Sequence, residues 1–215
     1  MIKISRKDIA YNYLYDGIIN NKLKPGQSLK ENEIALSLSI SRTPVREALK
    51  ELEKDGLVKT FEGRSSIVSK LSPNDISDIF DVRIALEKLA LEKSIKRISD
   101  EEIDSLIHAF IKISKNFKWE DSYLVDKKLH DLIVKRSANK KIYYILKNLN
   151  SQIERFRTMA SKADKRSEKS INEHLDLLSC LKSRDLNKSQ KSLEFHLNSV
   201  KNSLFEIAII DSTNF

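Results

Sequence analysis

The run Ser41-Arg42-Thr43-Pro44-Val45-Arg46-Glu47-Ala48-Leu49-Lys50-Glu51-Leu52-Glu53-Lys54 carries two helical faces in one segment. Val45, Ala48, Leu49 and Leu52 fall at the i, i+3, i+4, i+7 spacing of a core-facing stripe, while Arg42, Arg46, Lys50 and Lys54 recur every fourth residue along another line. Ser41 is a good N-cap, because its hydroxyl can accept from an unpaired N–H of the first turn. Pro44 sits in that turn, where a missing N–H costs nothing. A basic face alone is usually just a solvated face, so the weight rests on what flanks this helix.

Upstream, a short helix is predicted at about 31–38 with Ile34, Ala35 and Leu38 inward, and Ser39-Ile40-Ser41 forms the turn between the two. A helix, a tight turn and a second helix that begins with Arg and Thr is the helix-turn-helix arrangement. Its second helix can offer Arg to guanine bidentately and Thr to a phosphate or thymine methyl. Further upstream, Ile9, Tyr13, Leu14, Gly17 and Ile18 suggest an apolar helix face within 7–20, and Lys24-Pro25-Gly26-Gln27 signals a turn. Downstream, residues 56–61 read as a strand, Glu62-Gly63-Arg64 as a tip and 66–69 as a returning strand. That is a β-wing directly after the recognition helix.

Glycine and proline set the domain boundary. The glycines (17, 26, 56, 63) and prolines (25, 44, 73) all fall within the first 73 of 215 residues. A long remainder without them, rich in Leu, Ile, Lys, Glu and Ser, reads as helical. The fold class is therefore mainly α: an N-terminal winged helix-turn-helix, residues 1–71, followed by an all-α helical bundle, residues 73–215. Helices are expected at about 73–97, 100–117, 120–137, 139–160, 167–183 and 186–210, with Asp100 and Asn139 as caps.

The net charge of +8 favours a polyanionic partner. Residues 1–72 hold 13 Lys+Arg against 9 Asp+Glu, the same surplus as the other 143 residues, so the first domain is about twice as basic per residue. The lone Cys180 lies in an apolar run and reads as a small core residue; no intrachain disulfide is possible. The N-terminus lacks the apolar core of a signal peptide, and no stretch reaches the ~20 apolar residues of a membrane helix. The expectation is a cytoplasmic protein with no membrane partner.

The segments Pro25–Glu31, Ser41–Leu49, Leu52-Glu53 and Asp55–Val58 resemble the winged helix-turn-helix of the GntR family of bacterial regulators. The resemblance implies DNA contacts by Arg42, Thr43 and Arg46, to which Lys50 on the same line and Arg64 at the wing tip are added. The wing departs from the family's Gly-Arg-Gly, since Ser65 follows Gly63-Arg64 and Glu62 places an acid near the tip. The six later helices resemble the effector-binding domain of the FadR branch, in its shorter, VanR-like FCD form.

Of the four histidines, three join one carboxylate in a suggestive pattern. Asp126 and His130, at i and i+4, share a helix face and can converge on one ion. His174 and His196 lie on two later helices. Such a set suits a divalent cation, Zn²⁺ first and Ni²⁺ or Mn²⁺ also accommodated. The motifs Asp-x3-His, Glu-His-x2-Leu and a late His-Leu are similar to the metal-binding subset of the family's effector domains. His108 has no counterpart there and reads as a helix-face residue.

Arg83 interrupts an apolar stripe of Ile76, Ile79, Leu86 and Ala90, so it needs an anionic partner. That partner is Glu87 one turn on, or the carboxylate of a bound effector. Both readings stand. For Arg155 and Arg157 the two readings are a reach into the effector cavity and a solvated position, and the solvated one is favoured. The functional expectation is a homodimeric repressor of a pseudo-palindromic double-stranded DNA operator, released by a small carboxylate. The alternatives are a regulator whose metal is purely structural, and a metal-dependent hydrolase. The hydrolase lacks an evident acid or base, since Glu173 adjoins His174 on a helix and points about 100° away from it; an enzyme is not expected.

Overall fold

The computed structural model describes residues 4–61, 66–70, 72–160 and 166–213. They form two compact units: Met1–Ser72 with Lys147–Met159, and Pro73–Leu146 with Ala160–Phe215.

In the first unit, α1 spans Arg6–Ile19, β1 Ser28–Leu29, α2 Glu31–Ser37, α3 Arg42–Lys54, β2 Val58–Lys59 and β3 Ser66–Val68. A capping box starts α1: Ser5 Oγ accepts from Asp8 N at 3.1 Å, and Asp8 Oδ2 accepts from Ser5 N at 3.2 Å. The buried face of α1 is Ala10, Leu14, Ile18 and Ile19, whereas Ile9 and Tyr13 are exposed. The expected stripe was therefore turned by about a quarter of the helix; Ala10, small enough for close approach, takes the place given to the larger Ile9.

The amphipathic reading of α3 holds: Val45, Ala48, Leu49 and Leu52 are buried and join Ala10, Leu14, Ile18, Ile34 and Ala35 in one core. Ser41 occupies the N-cap position in extended backbone, but its side chain makes no capping bond. Asp55 ends α3, and Gly56 follows with φ +72, a left-handed conformation that costs glycine little. Gly56 N then donates to Glu53 O and Leu57 N to Leu52 O, which turns the chain into β2.

The strands form a three-stranded sheet in the order β1-β3-β2, with Ser28 opposite Ile67 and Val58 opposite Val68, both pairs antiparallel. The two-stranded wing thus gains β1 from before the helix-turn-helix. Gly26 (φ +77) and the Gln27 N to Lys24 O bond make the expected turn that delivers β1. The end of α7 (Lys140–Ala160) also belongs to this unit. Tyr15 Oη donates to Glu154 Oε2 at 2.9 Å, and Arg155 Nη1 donates to the Ser69 carbonyl at 2.6 Å.

The second unit holds α4 (Pro73–Ser94), α5 (Asp100–Lys115), α6 (Trp119–Arg136), the start of α7, α8 (Arg166–Lys182) and α9 (Leu186–Thr213). Six helices were expected here, with ends within a few residues of these. The α5 cap is Ser99 and not Asp100: Ser99 Oγ accepts from Glu102 N while Glu102 returns the bond to Ser99 N. Asn139 does cap α7, its Oδ1 accepting from Lys141 N and Ile142 N. Helix α4 packs on α6 and α9, and α8 packs on α5, α6 and α9. Leu177, Leu178 and Leu181 fill the α8 core positions, which leaves Cys180 only partly buried. Among the described residues, no helix is long and apolar enough to cross a membrane.

Candidate nucleic-acid interface and metal centre

The α2–turn–α3 corner is made by Ser39, whose φ of +55 lets its N–H reach Leu36 O while Ile40 N bonds Ala35 O. Burial of Val45, Ala48, Leu49 and Leu52 rolls the opposite side of α3 outward, so Arg42, Thr43, Arg46 and Lys50 are all exposed. Glu31, in the first turn of α2, takes Arg46 bidentately: Nε to Oε1 at 3.0 Å and Nη2 to Oε2 at 2.8 Å. Arg42 Nη2 lies 3.8 Å from the same carboxylate. Hydrogen bonding by Arg46 holds the Glu31 carboxyl below its ordinary value. Sequence reading missed this contact, since nothing in the spacing of residues 31 and 46 announces it. Arg64, expected at the wing tip, lies outside the described residues, as does the Arg157 side chain.

The second unit brings Asp126, His130, His174 and His196 together. Helical spacing places Asp126 and His130 on one face of α6; α8 supplies His174 and α9 supplies His196. Their candidate ligand atoms all lie within 4.8 Å of one another. Asp126 Oδ1 is at the centre, 2.9 Å from His174 Nε2, 3.5 Å from His130 Nε2 and 3.7 Å from His196 Nε2. All four residues are buried. Phe110 stacks on His174 with ring centroids 4.7 Å apart, and walls one side with hydrocarbon.

The outer partners fix the chemistry of two rings. His130 Nδ1 lies 2.5 Å from Glu87 Oε2, and His196 Nδ1 lies 2.9 Å from Glu173 Oε2. An ionised carboxylate only accepts, so each Nδ1 carries the proton and each Nε2 turns a lone pair toward Asp126. With both rings neutral, two lone pairs and a carboxylate oxygen face one point, and their repulsion is relieved by a cation among them or by a further proton. Among the described residues, the buried His130 Nε2 has no hydrogen-bond partner. The donor set thus fits a divalent metal ion of the Zn²⁺ type.

Glu173, which helical spacing turns away from His174, lies behind His196, where Arg166 Nη2 donates to it at 2.5 Å. Glu87 does more than the expected pairing with Arg83. Arg83 Nε donates to Glu87 Oε1 at 2.6 Å, and the second oxygen serves His130. Arg83 and Glu87 are both 3% exposed in their side chains. Burial opposes ionisation of Glu87, yet Arg83 and His130 together outweigh it and hold its pKa down to about 2. Among the described residues, no group accepts from the buried Arg83 Nη1. Arg155, expected to be solvated, is fully buried because α7 lays it against the chain that leaves β3.

A winged helix joined to a helical domain with a buried carboxylate–histidine cluster defines a class, the effector-domain transcription regulators. The chain belongs to the GntR family of bacterial regulatory proteins: that family's model matches residues 7–68, and the model of the FCD domain matches residues 78–199. It is 33% identical over 168 residues, 76% of this chain and 75% of the relative, to the uncharacterized HTH-type transcriptional regulator YdhC of Bacillus subtilis. It is 31% identical over 149 residues to the gluconate operon transcriptional repressor of Bacillus licheniformis, covering 68% of this chain and 61% of the repressor.

Two solved structures share the fold. Escherichia coli McbR/YncC superposes with a TM-score of 0.74 at 20% identity, over 99% of this chain and 100% of that one. The metal-free FCD domain of TM0439 superposes with a TM-score of 0.59 at 23% identity, over 64% of this chain and 96% of that one. This chain is a transcription regulator and not an enzyme.

Proposed function

We propose that the chain acts as a homodimeric repressor that binds a pseudo-palindromic operator through its 1–71 part and releases it when the 73–215 part takes up a small carboxylate. The convergence of three imidazole Nε2 atoms on Asp126 Oδ1 carries the effector half of this reading. In the DNA half, Arg42 and Arg46 read base edges in the major groove, Thr43 and Lys50 meet the phosphates, and Arg64 reaches the backbone from the wing. Two such helices in one dimer account for an operator with two half-sites. Val82 and Leu89 on α4, and Tyr144 and Ile145 on α7, expose apolar surface suited to a dimer face. A protein that reads chromosomal operators works in the cytoplasm.

Asp126, His130, His174 and His196 would hold the ion, Zn²⁺ first, with Ni²⁺ or Mn²⁺ also fitting. When bound, the metal supplies a Lewis-acidic point for an effector oxygen. Glu87 and Glu173 keep the two rings in the ligating tautomer. Arg83, fixed by Glu87 through Nε, keeps Nη1 for a carboxylate oxygen of the effector. The alternative of a purely structural metal draws support from the burial of all four ligands, since structural sites are closed.

Metal analysis of the purified protein beside a His174→Ala, His196→Ala double variant tests the centre. About one ion per chain, lost in the variant, is expected. No metal in either after reconstitution would remove the centre from the argument. Thermal stabilisation by small carboxylates that disappears in Arg83→Ala separates the effector reading from the structural one. Operator binding is tested on DNA selected from a random pool by the full-length chain; failure to enrich any sequence would sink the DNA half.

A further inference from the structure

The planar guanidinium presents Nε–H and one Nη2–H on a single edge, which matches two oxygens of a carboxylate or phosphate. Arg46 gives that edge to Glu31, and Arg136 gives it to Glu102. Arg155 presents the same edge in a different setting. Its side chain is fully buried, and Nη1 is committed to the Ser69 carbonyl at 2.6 Å. Among the described residues no group accepts from its Nε or Nη2. Burial alone pulls its pKa down, to about 10, with no carboxylate to oppose the shift. At neutral pH the group is still protonated, so a whole positive charge is enclosed with no counter-charge among the described residues, an arrangement that is costly when nothing compensates it.

The Ser69 bond also fixes the head of the side chain, so the donating edge is aimed before anything arrives. With no exposed surface, Arg155 is out of reach of a DNA phosphate or a carboxylate on a second copy of the chain. What fits is a small anion that can be enclosed. We infer that Arg155 is the anchor of an anion site within the DNA-binding unit, taking a small carboxylate or inorganic phosphate side-on through Nε and Nη2.

Thermal unfolding of the full-length protein tests this, with sodium acetate, malonate and phosphate each compared against sodium chloride at equal ionic strength. At least one of these anions is expected to raise the wild-type Tm by about 5 °C near saturation. That response should persist in Arg83→Met, vanish in Arg155→Met and weaken in Arg155→Lys, which keeps the charge but loses the fork. A phosphate-only response assigns a phosphate site, and a response to acetate or malonate assigns a carboxylate site. Wild-type protein indifferent to all three anions would overturn the inference, and so would a response lost in Arg83→Met but kept in Arg155→Met. Should Arg155→Met fail to fold, calorimetric titration of the wild type and Arg155→Lys with the same anions decides: heat of binding weakened in the lysine variant supports the site, and no heat in the wild type refutes it. Metal content and operator binding, measured on the same variants, report separately on the function proposed above.

Discussion

Glu87→Leu is the perturbation that most directly probes the helical domain. The Glu87 carboxylate lies between the Arg83 guanidinium at 2.6 Å and the His130 ring at 2.5 Å, with all three side chains no more than 6% exposed. Leucine fills a similar volume but leaves the Arg83 charge buried without a partner. Breaking a buried pair from one side costs ~3–5 kcal/mol. For a chain of this size each kcal/mol lowers Tm by about 2–4 °C, so a fall of roughly 10 °C is expected. The assay is thermal unfolding of EDTA-treated protein followed by circular dichroism, so that metal binding does not contribute. The double variant Arg83→Met, Glu87→Leu removes both charges and should recover most of the loss. A single variant within about 2 °C of wild type, or a double variant no better than the single, would refute the reasoning.

The same trio gives a pH dependence. Glu87 falls from an ordinary 4.5 to about 2 on folding, so its contribution is present above pH 4.5 and is lost as pH falls toward 2. Against the opposing effect of burial, Glu87 raises the His130 pKa above 6.5, so that part is complete below pH 6.5 and is lost as pH rises through the folded value. Metal-free wild type should draw full benefit between about pH 4.5 and 6.5, and Glu87→Leu should lose both flanks.

Three further outcomes are expected. Arg42→Ala and Arg46→Ala should each lower affinity for selected operator DNA by about 10-fold or more, read by fluorescence anisotropy, with elution on gel filtration unchanged; unaltered affinity in both would contradict the interface. Glu173→Gln should weaken metal binding by about 10–100-fold in a chelator competition, because His196 loses the carboxylate that fixes its tautomer. Leu52→Ala, at a fully buried position of the first unit's core, should cost ~2–5 kcal/mol in chemical denaturation, and a loss below about 1 kcal/mol would show that the core is packed otherwise.

The residues that act within one helix were legible in the sequence. The apolar stripe and basic line of α3, the Asp126–His130 pair and the Arg83–Glu87 pair all follow from a period of 3.6 residues per turn, which the spacing of residues along the sequence encodes. The absence of Gly and Pro beyond residue 73 likewise announced six helices, because these residues interrupt helices by local sterics. The face buried on α1 was not legible: Ile9 and Ala10 are both apolar, and only packing against α3 chose the smaller. The strand β1 was missed because two residues show no alternation and pair only once the chain has folded.

Tertiary structure decided every contact between distant segments. His174 and His196 could be suspected from their motifs, yet their meeting with Asp126 depends on how α6, α8 and α9 pack. Glu87 as a bridge from Arg83 to His130, Glu31 on Arg46 and the burial of Arg155 have no signature in spacing. An ion pair across 43 residues, such as Glu87 with His130, is set by the burial of apolar faces elsewhere. Local periodicity states which side chains share a face; the common core alone determines which faces meet, and so where each buried charge finds, or lacks, its partner.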